Sequence, residues 1–112
     1  MKCLRLAALL ACVGTALADG SSDRFYRENA DAMERMMADM HVPTTGDVDR
    51  DFVAMMTPHH RGAIEMAQLE LRYGSNEQLR RLAQEIIVTQ RAEIDAMSLA
   101  IDRKAMPAGA AR

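Results

Sequence analysis

The chain has few of the residues that would build a disulfide-stapled scaffold or bind nucleic acid. Two cysteines in 112 residues cannot form a disulfide-dense fold. A formal net charge of −2 offers no basic surface for nucleic acid. There is no tryptophan, and aromatic residues make up only 4%. Beyond the first 18 residues no run of 18 apolar residues occurs, so nothing there is predicted to span a membrane.

The first 18 residues carry the pattern of a secretory signal peptide. Lys2 and Arg5 make a positive start, residues 6–13 form a short apolar stretch, and residues 16–18 (ALA) form an A-x-A cleavage signal. We therefore predict a signal peptide that is cleaved after Ala18, and a periplasmic or secreted protein.

Cleavage would change the chemistry of the mature single domain, residues 19–112. It would remove Cys3 and Cys12, so that any soft metal ligand must be methionine or histidine. It would also remove two of the 14 basic residues, leaving 12 against 16 acidic ones and a charge of −4. The alternatives are a buried N-terminal helix and a lipoprotein attached through Cys12, whose signal would have only 11 residues.

Three amphipathic segments predict an all-α fold. The predicted helices cover about residues 23–40, 47–73 and 77–104. Ser21 or Ser22 is the expected N-cap of the first, Asp47 caps the second, and a capping box over residues 75–78 begins the third. Gly74 marks the end of the second helix. No segment alternates as a strand would, and short loops predict antiparallel neighbours, hence a helical bundle.

Pro58 interrupts the second predicted helix, because it cannot donate a helical hydrogen bond and its ring clashes with the preceding turn. Either the helix kinks over residues 54–58, which we expect, or a new helix begins there with Thr57 as its N-cap. Both alternatives place His59 and His60 directly after a backbone irregularity.

Methionine is the compositional outlier, with ten in the chain. Residues 19–68 hold seven methionines and all three histidines but no leucine, where about five leucines would be expected. At about 100° per residue the first helix gathers one stripe that we expect to be buried. The stripe consists of Tyr26, Asn29, Met33, Met36, Met37 and Met40. It either fills the core or supplies metal ligands, and the missing leucines favour ligands.

The second predicted helix places His59 and His60 together on its apolar side. Met55 and Met56 lie one turn earlier, and Met66 lies further along the same side. One histidine there would more often be a hydrogen-bonded core residue, but two adjacent ones among methionines are harder to explain that way. Thioethers favour Cu(I) and imidazole suits both Cu(I) and Cu(II), so this face indicates copper.

The third predicted helix places Gln90 and Glu93 within its apolar face, beside Met97. A buried carboxylate is costly unless it is paired or bound to a metal. Glu93 is therefore expected either to hydrogen-bond a histidine and fix the register of the bundle, or to act as a ligand or to hold a ligating histidine in one tautomer.

Three motifs together are specific: residues 55–60 (MMTPHH), residues 63–67 (AIEMA), and Ile86 followed by residues 90–94 (QRAEI) and Met97. On these motifs the chain resembles, over about residues 22–102, an exported bacterial family known as domain of unknown function 305.

The resemblance implies a ferritin-like helical bundle, and some members are described as periplasmic copper-binding proteins. It places seven residues at family motif positions: His59, His60, Met56, Met66, Gln90, Glu93 and Met97. A ferritin-like bundle needs four helices, so either Pro58 divides the second helix or a second subunit completes the bundle. We expect a homo-oligomer.

The motifs of hydrolases and di-iron oxidases do not occur: there is no Glu-x-x-His, His-Glu-x-x-His, nucleophile elbow or P-loop. We therefore predict a non-enzymatic copper-binding protein that functions in copper homeostasis, with copper-handling proteins as its partners. The alternative is a stress-related helical adaptor that uses a Met-rich face for self-association or partner binding. The predicted ligands are His59, His60, Met55, Met56, Met66, Met97, Met33, Met37, Met40 and His41, with Glu93 and Gln90 as ligands or their hydrogen-bond partners.

Overall fold

A computed structural model describes residues 16–105 of the chain, with side chains over residues 20–102. Its three α-helices are Ala16–Asp39 (α1), Val48–Tyr73 (α2) and Glu77–Ala105 (α3), and the described residues contain no strand. The prediction of an all-α bundle of three long helices is confirmed. No helix in this part of the chain is both long and apolar enough to cross a membrane. The predicted signal peptide lies outside the described residues except for 16–18, which belong to α1.

The starts of α1 and α3 differ from the prediction. Helix α1 already includes Ala16, so Ser21 and Ser22 lie inside the helix and are not its N-cap. The preceding alanines and leucine are strong helix formers, which extends the helix towards the N-terminus. The cap of α3 is Asn76 and not the predicted box that starts at Ser75. The Asn76 side-chain oxygen accepts from the backbone N–H groups of Gln78 at 2.9 Å and Leu79 at 3.1 Å.

Helix α2 begins and ends as predicted. The Asp47 carboxylate accepts from the backbone N–H groups of Asp49 at 3.1 Å and Arg50 at 3.3 Å, and the Gly74 N–H donates to the Glu70 carbonyl. The helix continues through Pro58 without a break. The alternatives in which a new helix starts at Thr57, or in which Pro58 divides α2 into two bundle helices, are therefore wrong.

The three helices form a single layer with α2 in the middle. Helices α1 and α3 each pack against α2, and within the described residues no α1 Cα lies within 8 Å of an α3 Cα. Gly62 faces α1, whereas His60 and Glu93 join α2 to α3. Since α1 and α3 lie on opposite sides of α2, the layer leaves two broad faces of α2 without a helical neighbour.

The two faces of the layer have opposite character. The first, here called the polar face, carries the ion pairs Arg35–Glu65 at 2.9 Å and Arg72–Glu28 at 2.6 Å. The second, here called the open face, contains an apolar groove of about 340 Å³ that all three helices line. Helical spacing places nine exposed large apolar side chains on it. They are Tyr26, Met33, Met37, Val48, Phe52, Met55, Met66, Leu79 and Leu82.

The predicted burial of the α1 methionine stripe is wrong for half of its members. Tyr26 and Met37 are 68% and 60% exposed, and Met33 is also exposed. Among the described helices α1 packs against α2 alone, so a narrow arc centred on the buried Ala32 is covered, with Met36 half-buried. The core is correspondingly thin, because no large side chain in the described part of the chain is fully buried.

Candidate metal centre

His60 is buried and held at both ring nitrogens. Its Nδ1 lies 2.9 Å from the Met56 carbonyl oxygen one turn earlier, and its Nε2 lies 2.7 Å from Glu93 Oε2 on α3. A carbonyl oxygen only accepts, so Nδ1–H donates to it, and one proton lies between Nε2 and the carboxylate oxygen. His60 therefore cannot bind a metal ion while both hydrogen bonds persist.

Glu93 supplies the α3 side of this link, but from the edge of the helix interface. Its side chain is 51% exposed, so the prediction of a carboxylate buried within the apolar face is wrong. The smaller Ala83, only 3% exposed, and half-buried isoleucines such as Ile94 fill the side of α3 that faces α2. A Glu93–histidine hydrogen bond was one of the predicted alternatives, and it is present.

His59 has a different environment from its neighbour. Successive helical residues point about 100° apart, and His59 is exposed on the open face while His60 is turned towards α3. The prediction that both rings share one apolar side is therefore wrong. The two rings meet edge to face with centroids 5.9 Å apart, and among the described residues nothing hydrogen-bonds the His59 ring. Its ring nitrogens are available to a ligand.

Four methionines share the open face with His59. Met55 lies one turn before it and Met66 two turns after it, and they are 40% and 44% exposed. Helix α1 adds Met33 and Met37, both on the side of that helix that belongs to the open face. The sequence-predicted ligands that the fold places on one accessible face are thus one imidazole and four thioethers.

The remaining predicted ligands lie elsewhere. Met56 and Met97 are half-buried, each one turn from the His60–Glu93 pair on its own helix, and Gln90 is half-buried on α3. These three belong to the α2–α3 interface. Met40 is half-buried just after the end of α1, and His41 is exposed next to it in the loop. The structure therefore divides the predicted ligand set between the open face, the α2–α3 interface and the end of α1.

The close approach of α1 to α2 escaped the sequence analysis. A Cβ atom added at Gly62 would lie 2.8 Å from Met36 Cγ and closer still to Met36 Sδ, so any larger residue would require the Met36 side chain to move. The available signal was a glycine inside a predicted helix, which costs about 1 kcal/mol relative to alanine and often has a packing reason.

The ion pairs between α1 and α2 lie on the polar face. On the polar face, the hydrogen bond from Arg35 to Glu65 raises the pKa of the Arg35 guanidinium. Glu28 accepts from both Arg72 and the Tyr73 hydroxyl, each at 2.6 Å. On the open face, the charged side chains that helical spacing places among the described ones, such as Glu70 and Glu93, are acidic.

The donor types at the candidate centre narrow the choice of metal. Among the described residues, no three His, Cys, Asp or Glu side chains come together as a metal-binding group. The donors that do share a face are an imidazole and thioethers. Soft thioethers select Cu(I) over harder divalent ions, and imidazole accepts either oxidation state of copper. The residues present fit copper.

The family can now be stated from a comparison with known sequences. The sequence profile described as domain of unknown function (DUF305) matches residues 12–101. The chain belongs to this family, as the motifs at residues 55–67 and 86–97 predicted. Among curated proteins, none matches the chain.

Proposed function

We propose that this DUF305 protein is a non-enzymatic copper-binding protein of the periplasm or cell exterior, with His59 as its central ligand. The observation that supports this most directly is the contrast between adjacent histidines. The His60 ring is hydrogen-bonded at both nitrogens, whereas the His59 ring is exposed and accepts or donates no hydrogen bond within the described residues. An exposed imidazole among methionines is an environment that suits Cu(I).

The proposed ligands of the ion, besides His59, are the thioethers of Met55 and Met66 on α2 and of Met33 and Met37 on α1. Because His59 is exposed, copper could enter and leave without unfolding of the bundle, which fits a buffer or carrier. Methionine and histidine also suit an oxidising compartment, where a thiolate would be oxidised. Cu(II) would rely on the imidazole, and thioethers would then contribute little.

His60 and Glu93 act in this proposal as positioning residues. Their hydrogen bond fixes the rotation of α2 against α3, and that rotation turns His59 towards the open face. Half-buried Met56 and Met97 then serve as packing at the α2–α3 interface rather than as ligands.

A competition titration with a chromogenic Cu(I) chelator tests the proposal. His59→Ala should weaken Cu(I) binding by tenfold or more, because the imidazole that this chain supplies to the centre is lost. Met66→Leu removes a thioether while keeping the apolar volume, and it should weaken binding by a smaller factor. Met97→Leu makes the same change at a half-buried position of the α2–α3 interface, where the proposal assigns no ligand, and is the matched control. Wild-type protein that takes up no Cu(I), or a His59→Ala variant that binds like wild type, would refute the proposed site.

A second candidate function is a helical adaptor that binds itself or a partner through its methionine-rich surface. The specific observation in its favour is the open face, whose large apolar side chains are exposed within the described part of the chain. This function predicts concentration-dependent assembly in the absence of metal together with no uptake of Cu(I), so the same titration separates the two functions.

A further inference from the structure

We infer that the open face is covered by a second copy of this chain, and that the copper centre is complete only where the two copies meet. The inference rests on the proposed copper function. The inference extends that function by assigning the missing ligands to the second copy rather than to other residues of the same chain.

The size of the open face matches a dimer interface. Its nine large apolar side chains are on average about half exposed. At roughly 200 Å² for a side chain of this size, they present roughly 900 Å² to solvent. A stable protein–protein interface buries about 800 Å² on each partner. The open face alone is therefore large enough to form one.

The thin core argues that the single layer is only half of a folded unit. Five hydrophobic residues of the described part of the chain are buried, and three of them are alanines. They are Ala32, Ile64, Ala67, Leu69 and Ala83. Domains normally bury an apolar core between two packed layers of secondary structure. A second three-helix layer laid on the open face would provide the missing layer and cover the groove between α1 and α3.

The charges of the open face favour a second copy over a membrane surface. Among the described side chains, no lysine or arginine lies on this face, so it lacks the groups that attract anionic lipid headgroups. Of its acidic residues, Glu70 lines the apolar groove and Glu93 lies beside His60 at the α2–α3 interface. An apolar surface without basic residues is instead complementary to itself.

The position of His59 makes the dimer relevant to copper. Helix α2 is the middle helix of the layer, and His59 lies near the midpoint of Val48–Tyr73, close to the centre of the open face. Most homodimers have two-fold symmetry, and residues near the axis meet their own equivalents. A two-fold axis through the centre of the face would bring His59 of both copies together, with Met55 and Met66 around them. Two imidazoles and several thioethers would then hold one Cu(I) ion for every two chains.

The test combines sedimentation velocity with Cu(I) titration on wild type and a matched pair of variants. Leu82→Glu introduces a charge at a 49% exposed position on the open face, while Val88→Glu introduces it on the same helix at a 69% exposed position outside that face. We expect wild type and Val88→Glu to sediment as dimers that bind one Cu(I) per two chains. Leu82→Glu should be monomeric and bind Cu(I) at least tenfold more weakly, although no proposed ligand has been changed.

Each other outcome has its own meaning. A dimeric Leu82→Glu variant with normal binding would show that the open face is not the interface. A wild-type monomer that binds one Cu(I) per chain would overturn the shared centre and leave the proposed function intact. This outcome is measured on wild type alone. A wild-type dimer that binds no Cu(I) would refute the proposed function but keep the interface. Circular dichroism of each variant confirms that it is folded.

Discussion

The two helix–helix interfaces of the layer are built on different principles. At the α1–α2 interface, polar contacts such as Arg35–Glu65 and Arg72–Glu28 lie at the exposed edge, and Gly62 lets Met36 cross closely. At the α2–α3 interface, a buried histidine is hydrogen-bonded across the two helices, and small buried residues such as Ala83 lie further along the same interface. The first interface therefore depends on shape, and the second on one polar link.

The difference matters because the interfaces respond to different changes. Exposed ion pairs contribute little to stability, since water screens them and long side chains lose freedom when they pair. A buried polar group is costly when its partners are lost. Substitutions at the α2–α3 link should thus have large effects, whereas the polar edge of α1–α2 should tolerate change.

The largest expected effect is that of His60→Ala. The substitution removes a buried ring together with its hydrogen bonds to Met56 and Glu93. We expect the free energy of unfolding to fall by about 2 kcal/mol or more. His59→Ala is the matched control one residue away, and because its ring is exposed it should change stability by less than about 0.5 kcal/mol. Urea denaturation measures both, and equal effects would contradict the distinction between the two histidines.

Substitutions of Glu93 test the same His60–Glu93 hydrogen bond from its more exposed partner. Glu93→Ala should cost about 1 kcal/mol of unfolding free energy, less than His60→Ala because the carboxylate is half exposed. Glu93→Gln should be milder, since an amide can donate to His60 Nε2 while Nδ1–H still donates to the Met56 carbonyl. Urea denaturation of both variants checks the order. A Gln variant as unstable as the Ala variant would show that the negative charge, and not the hydrogen bond, is required.

At the α1–α2 interface the decisive contact is the one between Gly62 and Met36. Gly62→Ala gains about 1 kcal/mol of helix propensity but forces Met36 aside, which typically costs 1–3 kcal/mol, so we expect a net loss of about 1 kcal/mol. In a Met36→Ala background the obstacle is gone, and Gly62→Ala should become stabilising. A double-mutant cycle by urea denaturation measures the coupling. Additive effects would show that the helices do not approach closely at Gly62.

The positions of the three helices along the chain could be predicted from local sequence, but which side of each helix is buried could not. Asp47 and Gly74 carry their own capping signals, and the period of the apolar residues was enough to place three helices. Whether an apolar stripe is buried depends instead on how many neighbours a helix has. Tyr26 and Met37 are exposed because α1 packs against one helix only.

The types of residue at the candidate centre could be predicted from the sequence, but their arrangement in space could be predicted only in part. Periodicity placed His59 and His60 on one apolar side, but their 100° separation decides which ring reaches Glu93. That choice depends on the rotation of α2 against α3, which is a property of the interface between the two helices and not of either helix alone. No pattern within α2 alone contains this information, so the two histidines could not be assigned separate roles from the sequence.

The smallest expected effect concerns the loop that leads into the α1–α2 interface, and it appears only at acidic pH. The Asp51 carboxylate accepts from the Thr45 hydroxyl at 2.7 Å and from the Thr45 backbone N–H at 2.9 Å. These hydrogen bonds lower the pKa of Asp51 below its ordinary value of 3.8. A lowered pKa in the folded state means that ionised Asp51 stabilises the fold above pH 3.8, and that this contribution is lost as the pH falls through the lowered value.

We therefore expect Asp51→Asn to shift the urea midpoint modestly downwards at neutral pH and to leave it unchanged relative to wild type at the acidic end of the titration. Comparing the two proteins at each pH cancels the effects of all other carboxylates. Thr45→Val removes the hydroxyl donor but keeps the backbone N–H, so the pH-dependent part of its difference from wild type should be smaller. A pH-independent part should remain, because the Thr45 hydroxyl also accepts from the Asp47 backbone N–H at 3.2 Å. A gap between wild type and Asp51→Asn that stays constant from neutral to acidic pH would mean that the hydrogen bonds favour Asp51 through the shape of the loop and not through its charge.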